Sequence, residues 1–207
     1  HLIETIIHKQ LNLYPNVSCL GLTESLMSCN GLSNKKILLY NGSDSALRDI
    51  LITFLDREDK ITIVGPTYTQ INCFIDIVKA SPKILIPENI FSPNFEQMSH
   101  EFGESKIVYI NNPNNPTGVL VPRKTITKLA ENFKDTTFII DEAYIDFCPN
   151  ESLANDMTPD NIIVTRSFSK AMGIAGLRLG YCVCGKKNYD RLSNIHNPKS
   201  VNTIAQE

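Results

Sequence analysis

Short, nearly continuous apolar runs recur along this chain: Lys36 to Tyr40, Lys60 to Val64, Lys83 to Ile86, Lys106 to Ile110, Thr137 to Ile140, Asn161 to Thr165 and Leu179 to Cys184. Most are rich in β-branched residues, as expected of strands covered on both faces. Helix-patterned segments lie between several of them. Over Asp44 to Asp56, the apolar residues Leu47, Ile50, Leu51, Phe54 and Leu55 fall on one helical stripe. Lys124 to Phe133 reads as a second helix, and Phe91 to His100 holds at most a short one. Ser200 to Glu207 reads as a helix that has barely begun. Strands alternating with helices predict an α/β fold, a three-layer sandwich around a mainly parallel central sheet.

Ligands of open α/β sheets collect where strands end and loops begin. The distinctive polar segments of this chain all follow predicted strands: Asn41 to Asp44, Pro66 to Tyr68, Asn111 to Gly118, Asp141 to Tyr144 and Ser167 to Lys170. Convergence of these strand ends on one site is therefore expected. Gly42, Ser43 and Asp44 open a helix, whose free amides and positive dipole end suit a phosphate, and Gly42 lets the backbone approach closely. Tyr68 offers a ring to lay on a flat heteroaromatic ligand. Two prolines stiffen Asn111 to Gly118, so that one amide can be aimed at a phenolic oxygen. Asp141 is expected at the tip of a buried strand, where an unpaired carboxylate is costly and a protonated pyridine nitrogen is a fitting partner. Tyr144 can reach the same phenolic oxygen or pack in the core.

Ser167, Ser169 and Lys170, with Arg178 eight residues on, combine an amine with hydroxyls and a guanidinium. An unprotonated lysine attacks carbonyls, although at its ordinary pKa of ~10.4 it is nearly all ammonium at neutral pH. Guanidinium binds phosphate oxygens in a fixed fork. A carbonyl and a phosphate on one small molecule suggest pyridoxal 5'-phosphate.

Composition narrows the partners. The 207 residues are 42% hydrophobic and 20% charged, with a net charge of −2, so no electrostatic footprint for nucleic acid or a membrane surface appears. No apolar run approaches the length of a membrane span. The six cysteines follow no metal or redox spacing, and no metal site is predicted. Cys182 and Cys184 share one face of a strand, and buried, inert thiols in a reducing cytoplasm are expected.

The order of these motifs resembles the fold-type I pyridoxal-phosphate aminotransferases: Asn115-Pro116-Thr117-Gly118, then Asp141-Glu142-Ala143-Tyr144, then Ser167-Phe168-Ser169-Lys170 with Arg178. The runs Asp141 to Phe147 and Ala175 to Arg178 are most similar to the histidinol-phosphate aminotransferase branch. The resemblance spans about Tyr14 to the end of the chain. It implies that Lys170 forms the covalent link to pyridoxal phosphate and shuttles the substrate proton. It also implies that Asp141 pairs with the pyridine nitrogen, that Asn115 and Tyr144 hold the phenolic oxygen, and that Tyr68 stacks on the ring. Gly42, Ser43, Asp44, Ser167, Ser169 and Arg178 would surround the phosphate, and Tyr14 would reach the partner subunit's cofactor across a homodimer. The implied organisation is an N-terminal segment, residues 1–35, leading into a cofactor-binding large domain, residues 36–207, cut before a small C-terminal domain that grips the substrate carboxylate. On that reading the isolated chain is expected to be nearly inactive. The implied reaction moves an amino group between histidinol phosphate, or a similar amine or amino acid, and 2-oxoglutarate. Threonine-phosphate decarboxylation, and a non-catalytic protein that keeps the fold, are the alternatives.

Overall fold

The computed structural model describes residues 11–32, 36–155 and 159–207. The first ten residues of the expected N-terminal segment lie outside this range. In chain order the main elements are α1 (Leu20–Asn30), β1 (Lys36–Asn41), α2 (Ser43–Phe54), β2 (Lys60–Val64), α3 (Gln70–Val78), β3 (Ser81–Leu85), α4 (Phe95–Met98), β4 (Ile107–Asn111), α5 (Arg123–Asn132), β5 (Thr137–Asp141), β6 (Ile162–Ser167), β7 (Leu179–Cys184) and α6 (Lys186–Ser193).

The strands form one sheet in the order β1-β7-β6-β5-β4-β2-β3. The pairs β2–β3, β2–β4, β4–β5 and β5–β6 are parallel, whereas β7 runs antiparallel to both β1 and β6. The exception has a plain cause. Each parallel step needs a long crossover, but β6 and β7 are joined by eleven residues with only a short 3₁₀ turn, which suits a reversal.

Period-two alternation sorts each strand between two cores. Leu38, Tyr40, Ile61, Ile63, Ile107, Tyr109, Ile139, Ile163 and Cys182 pack with α2, α3 and Leu192 of α6. Ile37, Leu39, Val108, Ile110, Phe138, Ile140, Val164 and Tyr181 pack with Leu26 of α1, Phe95 of α4 and Ile126 and Leu129 of α5. Helices on both faces of a seven-stranded sheet make the three-layer sandwich. The stripe of α2 is buried at Ala46, Leu47, Ile50, Leu51 and Phe54.

Two expectations are corrected. The third apolar run is an edge strand, largely exposed and beginning at Ser81, because only β2 pairs with it. Ser200 to Glu207 contains only a 3₁₀ turn, Ile204–Gln206. The apolar periodicity of α1, α3 and α6 is too weak or too short to single them out in the sequence. The end of α1 is marked by Gly31, at φ 63°, whose amide turns back to the carbonyls of Met27 and Ser28.

Candidate active site

The five polar segments meet at one end of the sheet around a cleft of about 90 Å³. Ser43, Asp44, Tyr68, Asn115, Asp141, Tyr144, Ser167, Ser169, Lys170 and Arg178 all line it.

At the end of β1, Gly42 adopts φ 78°, a region open to glycine, and turns the chain into α2. No side chain caps that helix, and its first two residues, Ser43 and Asp44, line the cleft. A Cβ on Gly42 would stand 2.6 Å from Nη2 of Arg178. The guanidinium therefore rests against bare backbone at a helix N-terminus. Arg178 holds φ 53° after the 3₁₀ turn Ala175–Leu177. Its Nη2 lies 3.6 Å from Oδ2 of Asp44, while Oδ1 of Asp44 accepts a 3.0 Å bond from the Tyr68 hydroxyl. Burial, then the Asp44 carboxylate, pushes the Tyr68 phenol up to about 12.

The loop after β4 is held by its asparagines. The Asn111 amide donates to the carbonyl of Asp141 at 2.9 Å, and its oxygen accepts from the amide of Asn115 at 2.7 Å. Asn112 exchanges two bonds with the backbone of Val121, and Asn114 donates to the carbonyl of Pro66 and the hydroxyl of Thr117. Asn115 lines the cleft. The peptides before Pro66, Pro113 and Pro116 are cis.

Asp141 ends β5 at 3% exposure. Its Oδ2 accepts from the Tyr109 hydroxyl at 3.0 Å and its Oδ1 from the Thr165 hydroxyl at 3.1 Å. Burial pushes its carboxyl up to about 6, against the pull of Tyr109, Thr165 and the Ala143 amide. Behind it, Glu142 is fully buried and accepts 2.6 Å bonds from the Ser152 hydroxyl and the Leu153 amide. Burial pushes Glu142 up to about 7. Arg166 lies beside it, bonded to Asp146 and to Asn30 of α1. One network thus ties Glu142, next to Asp141, to Arg166, next to Ser167, and through Arg166 to Asp146.

Lys170 sits in the β6–β7 connection, which is pinned by bonds from the Phe168 amide to the Leu179 carbonyl and from the Gly173 amide to the Lys170 carbonyl. Its Nζ lies 5.3 Å from the centre of the Tyr144 ring. Tyr14 lies away from this cleft, 81% exposed, with Nζ of Lys199 over its ring at 4.5 Å. Tyr109 and Thr165 were missed in the sequence because they sit inside apolar runs.

A lysine, a buried carboxylate and an arginine-lined helix terminus in one cleft, on this sheet, define the large domain of a pyridoxal-phosphate enzyme. The model of the family "Aminotransferase class I and II" matches residues 3–207, and the chain belongs to that family. Its cofactor is pyridoxal 5'-phosphate. The chain is 34% identical over 204 residues to a dihydroxyacetone phosphate transaminase of Campylobacter jejuni, covering 97% of this chain and 56% of that protein. It is 32% identical over 200 residues to a histidinol-phosphate aminotransferase of Flavobacterium johnsoniae, covering 95% and 57%. The structure of the histidinol-phosphate aminotransferase of Clostridium acetobutylicum superposes with a TM-score of 0.87 at 26% identity, covering 99% of this chain and 63% of that one. An L-threonine-O-3-phosphate decarboxylase of Porphyromonas gingivalis gives 0.83 at 29% identity, covering 100% and 64%. The chain therefore spans a little over half the length of the curated relatives it matches. Among the described residues, no helix is long and apolar enough to cross a membrane.

Proposed function

We propose that this chain is the cofactor-binding large domain, residues 36–207 with the preceding segment, of a homodimeric aminotransferase acting on a small phosphorylated amine or ketone. The convergence of Lys170, Asp141, Asn115, Tyr144 and Arg178 on one cleft carries the reading. The relatives named above act, by their names, on histidinol phosphate, dihydroxyacetone phosphate and threonine phosphate. A phosphate on the substrate is the feature those names share. Transfer between histidinol phosphate and 2-oxoglutarate is the reading we favour. Decarboxylation is the second reading, favoured by the resemblance to the Porphyromonas structure.

The residues fit the cofactor. The uncapped start of α2 and Arg178 would hold its phosphate, the bare Gly42 backbone leaving room for the guanidinium. Asp141 would face the ring nitrogen, Asn115 and Tyr144 the phenolic oxygen, and Tyr68 one face of the ring. When bound, pyridoxal phosphate supplies an electron sink for the pair released at the substrate α-carbon. Lys170 would first hold the aldehyde covalently; once freed, its amine would take the α-carbon proton and return it elsewhere. Tyr144, 5.3 Å from that amine, would keep it over the cleft. Ser167 and Ser169 would add hydroxyls near the phosphate, and Asp44 would orient Arg178 and Tyr68.

Tyr14, exposed and apart from this cleft, would serve the partner's site; Tyr14→Phe should weaken cofactor binding in the dimer and leave sedimentation unchanged. We place the protein in the cytoplasm, in keeping with free thiols at all its described cysteines. The test is retention of pyridoxal phosphate after borohydride reduction. The chain should retain one equivalent and Lys170→Ala none, and equal retention by both would refute the reading. In a protein extended by its C-terminal domain, glutamate formation against carbon dioxide release separates the two reactions. The 207-residue chain alone should turn over hardly at all.

A further inference from the structure

We propose that Tyr109 and Thr165 are positioning residues of this site, whose two hydroxyls hold Asp141 as a carboxylate so that a proton shared with the cofactor rests on the ring nitrogen. This rests on the assignment of Asp141 to that nitrogen.

The geometry is specific. Each hydroxyl serves a different oxygen: Tyr109 donates to Oδ2 at 3.0 Å and Thr165 to Oδ1 at 3.1 Å. They approach from opposite sides, because β4 and β6 flank β5 in the sheet. Asp141 is registered with Thr165 on β6, and Tyr109 lies opposite Ile139, two residues back on β5. Tyr109 and Thr165 are both fully buried, so water does not replace a lost bond. A carboxylate oxygen can accept two bonds, so each retains capacity toward the cleft that Asp141 lines.

The chemistry follows from burial. A carboxyl removed from water favours its neutral form. A neutral Asp141 would keep the proton on oxygen and leave the ring nitrogen bare, a poor electron sink. Hydroxyl donors stabilise the charged form and oppose that preference. Burial also holds Tyr109 well above the ordinary phenol range, so it remains a donor throughout. Asp44 is the other charge that raises Asp141, and the hydroxyls work against it too. A hydrogen bond to a charged group is enough to move the proton's partition about tenfold to hundredfold.

Two measurements test this on the full chain. In the protein without cofactor, the carboxyl carbon resonance of Asp141 is titrated by NMR. Tyr109→Phe and Thr165→Val should each raise its midpoint by about one to two pH units, and Thr165→Ser should restore the parent value. With cofactor labelled at the ring nitrogen with ¹⁵N, the same two variants should move the nitrogen resonance at pH 7.5 toward the unprotonated pyridine position. Asp141→Asn is the control. Unchanged carboxyl midpoints in both variants overturn the proposal, whether or not the cofactor binds. A nitrogen signal that moves in Asp141→Asn but in neither variant overturns it as well. If Asp141→Asn leaves the nitrogen signal in place, the assignment of Asp141 fails and the proposal falls with it. Phe in place of Tyr109 keeps the ring in its core site, so the melting temperature separates loss of folding from loss of the hydroxyl.

Discussion

Gly180 is the tightest glycine of the molecule to alter, and Gly180→Ala tests the geometry of the phosphate end of the cleft. A methyl group there would stand 2.5 Å from the amide nitrogen of Ser43, 2.6 Å from the carbonyl carbon of Gly42 and 2.9 Å from the carbonyl oxygen of Arg166. All three are backbone atoms, two of them in the Gly42–Ser43 peptide and the third on β6, so no side chain can swing aside. To restore contact at 3.4 Å, the start of α2 must retreat by about 0.9 Å. Overpacking of this kind costs about 1–3 kcal/mol, and rigid neighbours place it at the upper end. For a chain of this size that lowers Tm by roughly 5–10 °C. Losing one charge-assisted bond from the displaced amide would weaken pyridoxal phosphate binding by about tenfold to hundredfold. The assay compares equilibrium titrations with pyridoxal phosphate and with pyridoxal, which lacks the phosphate. The variant should lose most of the preference for the phosphorylated form. A lowered Tm with that preference intact would show that the start of α2 does not hold the phosphate. Parent-like values for both would refute the packing argument itself. Gly21→Ala in α1 is the control, since a methyl there meets nothing within 4 Å.

Three further outcomes are expected. The folded carboxyl of Asp141, at about 6, lies above its unfolded value, so its stabilising share is complete below about pH 3.9 and lost as pH rises through 6. Urea unfolding of the cofactor-free chain should show Asp141→Asn gaining about 3 kcal/mol relative to the parent between pH 3.5 and 8. Arg166→Ala strands Glu142 and Asp146 without their cation, which should cost about 3–5 kcal/mol in denaturant unfolding and release the end of α1 to hydrogen exchange. Ser152→Ala removes a 2.6 Å donor to Glu142 and should cost about 1–3 kcal/mol, read as a drop in the urea midpoint.

Much of this molecule was legible in the chain because its signals are local. The strand β5 and its terminal Asp141 are a continuous apolar run ending in a charge, and α2 follows a glycine that only a turn requires. The Lys170 loop announced itself by residue type. What escaped is what depends on strands distant in sequence. Tyr109 reads as one more aromatic in an apolar run, and its hydroxyl gains meaning only beside a residue 32 positions away. Arg166 reads as a strand-end charge, yet it meets Asn30 at a separation of 136. Gly180 carried no signal of its own, since its constraint comes from Ser43 across the sheet. The reversed direction of β7 was legible in principle from the short β6–β7 connection, and was passed over because alternating strands and helices suggest parallel pairing throughout.

The antiparallel β7 also orders events in time. β1 lies at the edge of the sheet and pairs with β7 alone, with Lys36 opposite Cys184. As the chain leaves the ribosome, β2 to β6 can assemble as parallel neighbours while β1 has no strand to join. The loop this pairing closes is among the longest in the molecule, and its ordering entropy is spent only at the end. Arg178 and the turn at Gly42 sit at that same late seam. The groups that would grip a phosphate therefore come together last, and a nascent chain shorter than about β7 holds Asp141 and Lys170 without the anchor that would keep a cofactor between them.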